Sequence, residues 1–94
     1  MSNDIDKFNQ EVLDVLGKDA LVIAMEELAE LSQAISKVYR GKGNMDNLAE
    51  EIADVMIVLD WVKTYTDISY EAIDSYYINK LNRIDSRLKE GTLC

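Results

Sequence analysis

Apolar residues recur every three or four positions in four segments of this 94-residue chain, and short polar breaks separate the segments. That spacing predicts amphipathic helices at about residues 5–16, 20–40, 46–63 and 70–89. Residues 1–4 are expected to form a loose end, and residues 64–69 to break the pattern. Asp19, Asp46 or Asn47, and Ser69 are the predicted caps of the later helices. The pattern favours a single all-α domain over residues 1–94, with a four-helix antiparallel bundle-like subunit.

The second and third helices each carry a continuous apolar stripe. Both helices also have apolar residues beside the stripe, so their apolar surface exceeds what one contact covers. Self-association into a homodimer or homotetramer would bury the surplus. The stripe residues are Leu21, Ala24, Leu28, Leu31, Ile35 and Val38 in the second helix, and Met45, Leu48, Ile52, Val55, Leu59 and Val62 in the third; the surplus residues are Val22, Ile23, Ile57, Val58 and Trp61.

A short acidic motif occurs twice, once on each of these helices: EELAEL at residues 26–31 and EEIADV at residues 50–55. On a helix, Glu27 and Glu51 lie roughly 60° from the apolar stripe, and Glu30 and Asp54 roughly 120° from it on the same flank. If the two stripes pack together, four carboxylates gather along one border of the contact. For either motif alone, a solvated acidic face is the simpler interpretation. Both motifs place their acids at the same angle to the apolar stripe, however, and this favours a cluster.

Composition narrows the chemistry of this cluster. The net charge is −8 and there is no histidine, which disfavours a nucleic-acid polymer as partner and a zinc site as metal centre. A hard cation on oxygen ligands is the metal to expect. The start of the chain is unlike a signal peptide, no apolar run is long enough for a membrane span, and the single Cys94 cannot form an internal disulfide. These features predict a cytoplasmic protein.

The two motifs, Glu27-x-x-Glu30 and Glu51-x-x-Asp54, resemble those of the MazG-like all-α nucleoside triphosphate pyrophosphohydrolases, over about residues 20–88. The resemblance implies an oligomeric helical fold and a site for Mg²⁺, or for Mn²⁺ as its substitute, held by Glu27, Glu30, Glu51 and Asp54. It implies hydrolysis of a nucleoside or deoxynucleoside triphosphate to the monophosphate and pyrophosphate, as in nucleotide-pool housecleaning. A related family hydrolyses phosphoribosyl-ATP, but Ile23-Ala24-Met25 replaces its lysines. A non-catalytic helical oligomerisation or regulatory module is the alternative of a different class.

The fourth helix contains Asn79-Lys80-Leu81-x-Arg83, which resembles the basic segment of the same family. Lys80, Arg83 and Arg87 share one face. They either hold phosphate oxygens or form a solvated stripe paired with Asp85 or Glu90. Trp61 is a candidate contact for the nucleotide base, although an aromatic at helical spacing is more often a core or dimer residue.

Among the four acids, Glu27 is the predicted general base. Glu27 and Glu51 lie nearer the buried stripe, so they should be less solvated than Glu30 and Asp54. Burial raises the pKa of a carboxylate, while a bound metal lowers it. A proton acceptor should therefore be buried and loosely tied to metal, which the long Glu27 side chain allows. In this assignment Glu30, Glu51 and Asp54 serve chiefly as ligands, and Lys80 and Arg83 steady the triphosphate.

Overall fold

The computed structural model describes residues 2–93, which form four α-helices and no strand within that range. The helices are α1 (Ser2–Leu16), α2 (Asp19–Tyr39), α3 (Met45–Thr66) and α4 (Tyr70–Glu90). The predicted all-α class and the number of helices are confirmed. Across residues 2–93, no helix is both long and apolar enough to cross a bilayer. Cys94, expected to have no function, lies outside the described residues.

The helix starts differ from the sequence prediction at three places. α1 begins at Ser2, so the expectation of a loose end is wrong for residues 2–4. Asp19 is the first residue of α2 and does not cap it; the capping position is Lys18, which makes no side-chain bond to the helix. A tight turn explains this, because the Gly17 carbonyl accepts the Ala20 N–H at 3.1 Å.

Asn44 caps α3, so the prediction of Asp46 or Asn47 is wrong. Its side-chain oxygen accepts the Asn47 N–H at 3.1 Å. Gly43 precedes it, and a Cβ there would lie 2.8 Å from the Val38 Cα, so the turn leaves no room for a side chain. The cap predicted for α4 is confirmed, since Ser69 accepts the N–H of Ala72 at 3.1 Å.

α3 continues three residues beyond its predicted end, to Thr66. The hydroxyl of Thr66 donates to the Val62 carbonyl at 2.7 Å, a bond made within the helix. Asp67 then adopts a left-handed conformation (φ 58°), which terminates the helix. The helix therefore runs through Thr64–Thr66 despite their weak helix propensity.

α2 and α3 form the main interhelical contact, and α1 packs against α3 and, over a smaller area, against α2. α2 and α3 are consecutive and joined by a short turn, so they run antiparallel. α4 has no Cα within 8 Å of another helix. Among residues 2–93, the observed polar contacts between α4 and α3 involve the first residue of α4: the Tyr70 hydroxyl donates to Asp60 at 3.4 Å, and Lys63 Nζ lies 3.9 Å from the Tyr70 ring centroid.

The packed face of α2 and α3 is rotated by about 50° from the apolar stripe, toward the acidic flank. Small residues such as Ala20, Ala24 and Ala34 are buried there, and they let the helices approach closely. On the opposite border, Leu28 and Ile52 stay 44% exposed. The described core is small, and its buried members are Asn9, Leu13, Ala20, Ala24, Ala34, Val55 and Val58.

Candidate functional site

The two acidic motifs meet across the α2–α3 contact. Glu27 of α2 and Glu51 and Asp54 of α3 each offer one carboxylate oxygen, and the three oxygens lie within 4.8 Å of one another. The antiparallel packing brings the motifs together because both place their acids on the same flank of the helix. Glu30 is not one of these three residues, but it lies close enough to act on the charges of Glu27 and Glu51.

The rotation of the packed face draws the acids partly out of water. Glu27, Glu51 and Asp54 are partly buried, whereas Glu30 is exposed. One carboxylate oxygen of Glu27 and one of Glu51 are fully buried without a hydrogen-bond partner. These two residues are the pair that the helical phase predicts to be less solvated. An unpartnered buried carboxylate oxygen is costly unless a proton or a cation neutralises it.

The electrostatics follow from this arrangement. Burial raises the pKa of Glu27, and the nearby charges of Glu30, Asp54 and Glu51 raise it further. Burial is likewise the first cause that raises the pKa of Glu51, followed by the charges of Glu30 and Asp54. The ionised cluster is thus disfavoured in the protein alone, and positive charge placed among these oxygens would relieve the repulsion.

The donor set fits a hard divalent cation. It consists only of carboxylate oxygens, which Mg²⁺ and Mn²⁺ prefer, and it contains no nitrogen or sulfur. Glu27 and Glu51 each have one carboxylate oxygen that no hydrogen bond occupies. Partial exposure leaves room for waters and for phosphate oxygens, as Mg²⁺ sites that act on nucleotides require.

An apolar pocket of about 340 Å³ opens beside the carboxylates, with Glu27 and Asp54 in its wall. The indole Nε1–H of Trp61 is buried there and has no acceptor. The remaining wall is Phe8, Ile23, Ile57 and Val58. Three of these, Ile23, Ile57 and Val58, are surplus apolar residues of the sequence pattern, and the structure places them with Trp61 and the acids.

The structure does not bring the basic residues of α4 to the carboxylates within one chain. Lys80, Arg83 and Arg87 are exposed and line a shallow concavity with Ile84, a residue of the same helix. Within residues 2–93 the observed ion pair joins Lys89 to Asp85 at 2.9 Å. In one chain the three cations form an exposed stripe on their own helix, and Asp85, one of the partners predicted for them, pairs with Lys89 instead.

A cluster at the α3–α4 junction is unanticipated by the sequence pattern. Asp60 raises the pKa of Tyr70, chiefly through its charge, and Lys63 covers the Tyr70 ring. The pattern gives no signal for it, because Tyr70 begins one helix and Lys63 lies in the last turn of another. Its contacts fasten the start of α4 to the end of α3.

Comparison with protein-family models, curated proteins and solved structures finds no significant match for this chain. The resemblance to the MazG-like enzymes therefore stays a prediction that rests on the two motifs.

Proposed function

We propose that this chain is a divalent-cation-dependent pyrophosphohydrolase of nucleoside or deoxynucleoside triphosphates. The observation that carries the proposal is the meeting of Glu27, Glu51 and Asp54 across α2 and α3, where each offers one carboxylate oxygen within 4.8 Å of the others. Glu27 and Glu51 each also have a carboxylate oxygen that is buried without a partner. A metal cation between the carboxylates and a polyphosphate would neutralise the repulsion between them, and this cluster is where cations would be favoured.

Glu27, Glu30, Glu51 and Asp54 would hold Mg²⁺, or Mn²⁺ in its place. The ion supplies positive charge that binds and polarises the phosphate oxygens. Asp54, with the shorter side chain, suits fixed ligation, and Glu51 reaches the same point from one turn earlier. Glu30, being exposed, is placed to contact the outer side of the cluster.

Glu27 is the proposed general base. It combines a raised pKa with a position in the wall of the apolar pocket, between the acids and the place where the substrate would lie. It would take a proton from water as the water oxygen bonds to an anhydride phosphorus. The bond to the bridging oxygen breaks, and the products are the monophosphate and pyrophosphate.

The pocket beside Glu27 is the proposed binding site of the heterocyclic base of the nucleotide. Its apolar walls suit a flat heteroaromatic ring, and the free Trp61 Nε1–H is a donor for a ring nitrogen or carbonyl oxygen. Lys80 and Arg83 are the proposed phosphate contacts.

The protein is proposed to act as a homodimer or homotetramer, because apolar residues of α2, α3 and α4 remain about half exposed.

The test is to incubate the protein with a panel of nucleoside and deoxynucleoside triphosphates and Mg²⁺ and to measure pyrophosphate. We expect release from at least one nucleotide, abolished by a chelator. Glu51→Gln should abolish it, and Glu50→Gln, an exposed neighbour on the same turn, should keep most of it. If no nucleotide yields pyrophosphate, the proposal fails and a non-catalytic helical module is the better account.

A further inference from the structure

α4 is a 21-residue helix whose apolar stripe is not covered by the described residues of its own chain. Every residue of it is exposed, including Ile73, Leu81 and Ile84, which are 44–48% exposed on one stripe. Helices of proteins owe most of their stability to packing of an apolar face, and an isolated helix of ordinary composition is marginal in water. The stripe of α4 therefore needs a cover that residues 2–93 of one chain do not supply.

The dimensions of the molecule indicate how much cover is missing. The radius of gyration is 16.5 Å, while a compact chain of this length has about 12 Å. The accessible surface is 7513 Å², about 2,000 Å² more than a compact monomer of 10.7 kDa exposes. Two chains that each buried this excess would form an interface of the size typical of obligate homodimers.

The charges of α4 are asymmetric about its apolar stripe. At 100° per residue, Lys80, Arg83 and Arg87 lie on one flank, about 60–120° from the centre of the stripe. Asp74 and Asp85 lie on the other flank. Docking of the stripe thus presents cations along one edge, and an acidic surface is their natural counterpart.

A groove that can take this stripe adjoins the acidic cluster. It has a volume of about 600 Å³ and lies between α1 and α3. Phe8 and Ile57 line both this groove and the pocket that contains Glu27 and Asp54. A helix seated in the groove would have one flank beside the carboxylates.

We infer that α4 packs on the α1–α3 groove of a second copy of this chain and brings Lys80, Arg83 and Arg87 to the acidic cluster of that copy. Each site is then built from two chains, with carboxylates from one and cations from the other. The role of the cations as phosphate contacts rests on the proposed function, but the pairing of the two chains does not.

Association is tested by light scattering on wild type and on two variants of α4. Wild type should show twice the chain mass of 10.7 kDa, or a multiple of it. Ile84→Glu, on the stripe, should shift the protein to monomer. Ser86→Glu adds the same charge on the opposite face of the same helix and should leave the mass unchanged. A monomeric wild type at micromolar concentration, or equal behaviour of the two variants, would overturn the inference.

The sharing of sites is tested with mixed dimers, made by co-expression with two tags and tandem purification. Glu51→Gln and Arg83→Ala homodimers should each lose about tenfold or more in turnover. A dimer of one Glu51→Gln chain and one Arg83→Ala chain has one intact site if the cations act across chains, so it should regain about half the wild-type rate. The reciprocal control pairs wild type with the double variant, and it should stay at the baseline.

Reversed results, with half activity in the control and baseline in the mixed dimer, would show that each chain uses its own cations and would contradict the inference.

Chemical cross-linking does not depend on activity, so it distinguishes failure of this inference from failure of the proposed function. In dimers of ¹⁵N-labelled and unlabelled chains, a zero-length carbodiimide should join Lys80 to Glu30 in peptides of mixed label. Mixed-label products from a protein that releases no pyrophosphate would refute the proposed function and retain this arrangement; uniformly labelled products alone would refute the arrangement.

Discussion

At the residue scale, Glu27 and Glu51 differ from the other acids because each has a buried carboxylate oxygen without a partner. Glu26, next to Glu27, is exposed, so the two neighbours form a matched pair. Glu27→Gln should keep Mg²⁺ and nucleotide binding within about tenfold yet lose at least about 10²-fold in turnover, since a general base contributes on that scale. Glu26→Gln should change neither quantity. Calorimetry and initial rates give both readouts, and loss of metal binding in Glu27→Gln would make Glu27 chiefly a ligand.

The raised pKa of Glu51 predicts how stability varies with pH. A carboxyl group whose pKa is raised in the folded state stabilises the fold below its ordinary value of 4.5, and that contribution is lost as pH rises through the raised pKa. In a chelator, Glu51→Gln should therefore gain melting temperature over wild type as pH rises above about 4.5, until the gain levels off. Glu50→Gln should show no comparable gain, and a constant difference between wild type and Glu51→Gln across this range would contradict the account.

Mg²⁺ should reverse this effect, because the cation favours the ionised carboxylates that repel one another without it. Adding Mg²⁺ should raise the melting temperature of wild type and raise that of Glu51→Gln or Asp54→Asn much less. Equal shifts in the three proteins, measured by thermal unfolding at neutral pH, would remove the cluster as the metal site.

At the element scale, the turn between α2 and α3 sets the register of the two motifs. Asn44 caps α3 through its side-chain oxygen, while the side chain of Asn47 has no such role, since its backbone N–H is the donor. Asn44→Ala should lower the free energy of unfolding by about 1 kcal/mol, the usual loss for an N-cap. Asn47→Ala is the matched control with an expected change near zero, and denaturant unfolding followed by circular dichroism measures both. Similar losses in the two variants would show that the cap does not stabilise α3.

Sequence periodicity was enough to predict four helices and their approximate bounds, because three-to-four spacing is a local property. The helix starts were less predictable: Asp46, Asn47 and Asn44 are all good capping residues, and the tight turn at Gly43 decides for Asn44. The extension of α3 to Thr66 was likewise not predicted, because its last residues have low helix propensity.

The candidate site could be predicted only in part. The shared phase of the two acidic motifs indicated that Glu27, Glu30, Glu51 and Asp54 would gather. Glu27, Glu51 and Asp54 do meet, while Glu30 is exposed and is not one of the three. The rotation of the packed face toward the acids could not be predicted, because the apolar pattern pointed to the stripe, whereas Ala20 and Ala34, which lie outside the stripe, are buried. The burial of Glu27 and Glu51 follows from that rotation.

At the scale of the whole molecule, α4 is the helix that one chain leaves exposed and that an assembly of chains could bury. Its pattern of apolar residues resembles that of a packed bundle helix, yet all of its residues are exposed, and among residues 2–93 it has no Cα within 8 Å of another helix. The spacing of apolar residues predicts that one face of a helix will be buried, but it does not predict whether the same chain or another chain buries that face. A shared site would explain both the uncovered stripe and the distance between the cations and the carboxylates.

The central claim is that the acidic cluster supports hydrolysis of a nucleotide to the monophosphate and pyrophosphate. The most direct measurement is ³¹P NMR of the products formed from the best triphosphate of the panel with Mg²⁺, by wild type and by Glu51→Gln purified in the same way. The account predicts nucleoside monophosphate and pyrophosphate in equal amounts from wild type and neither from the variant. Nucleoside diphosphate with inorganic phosphate, or equal product from both proteins, would contradict it.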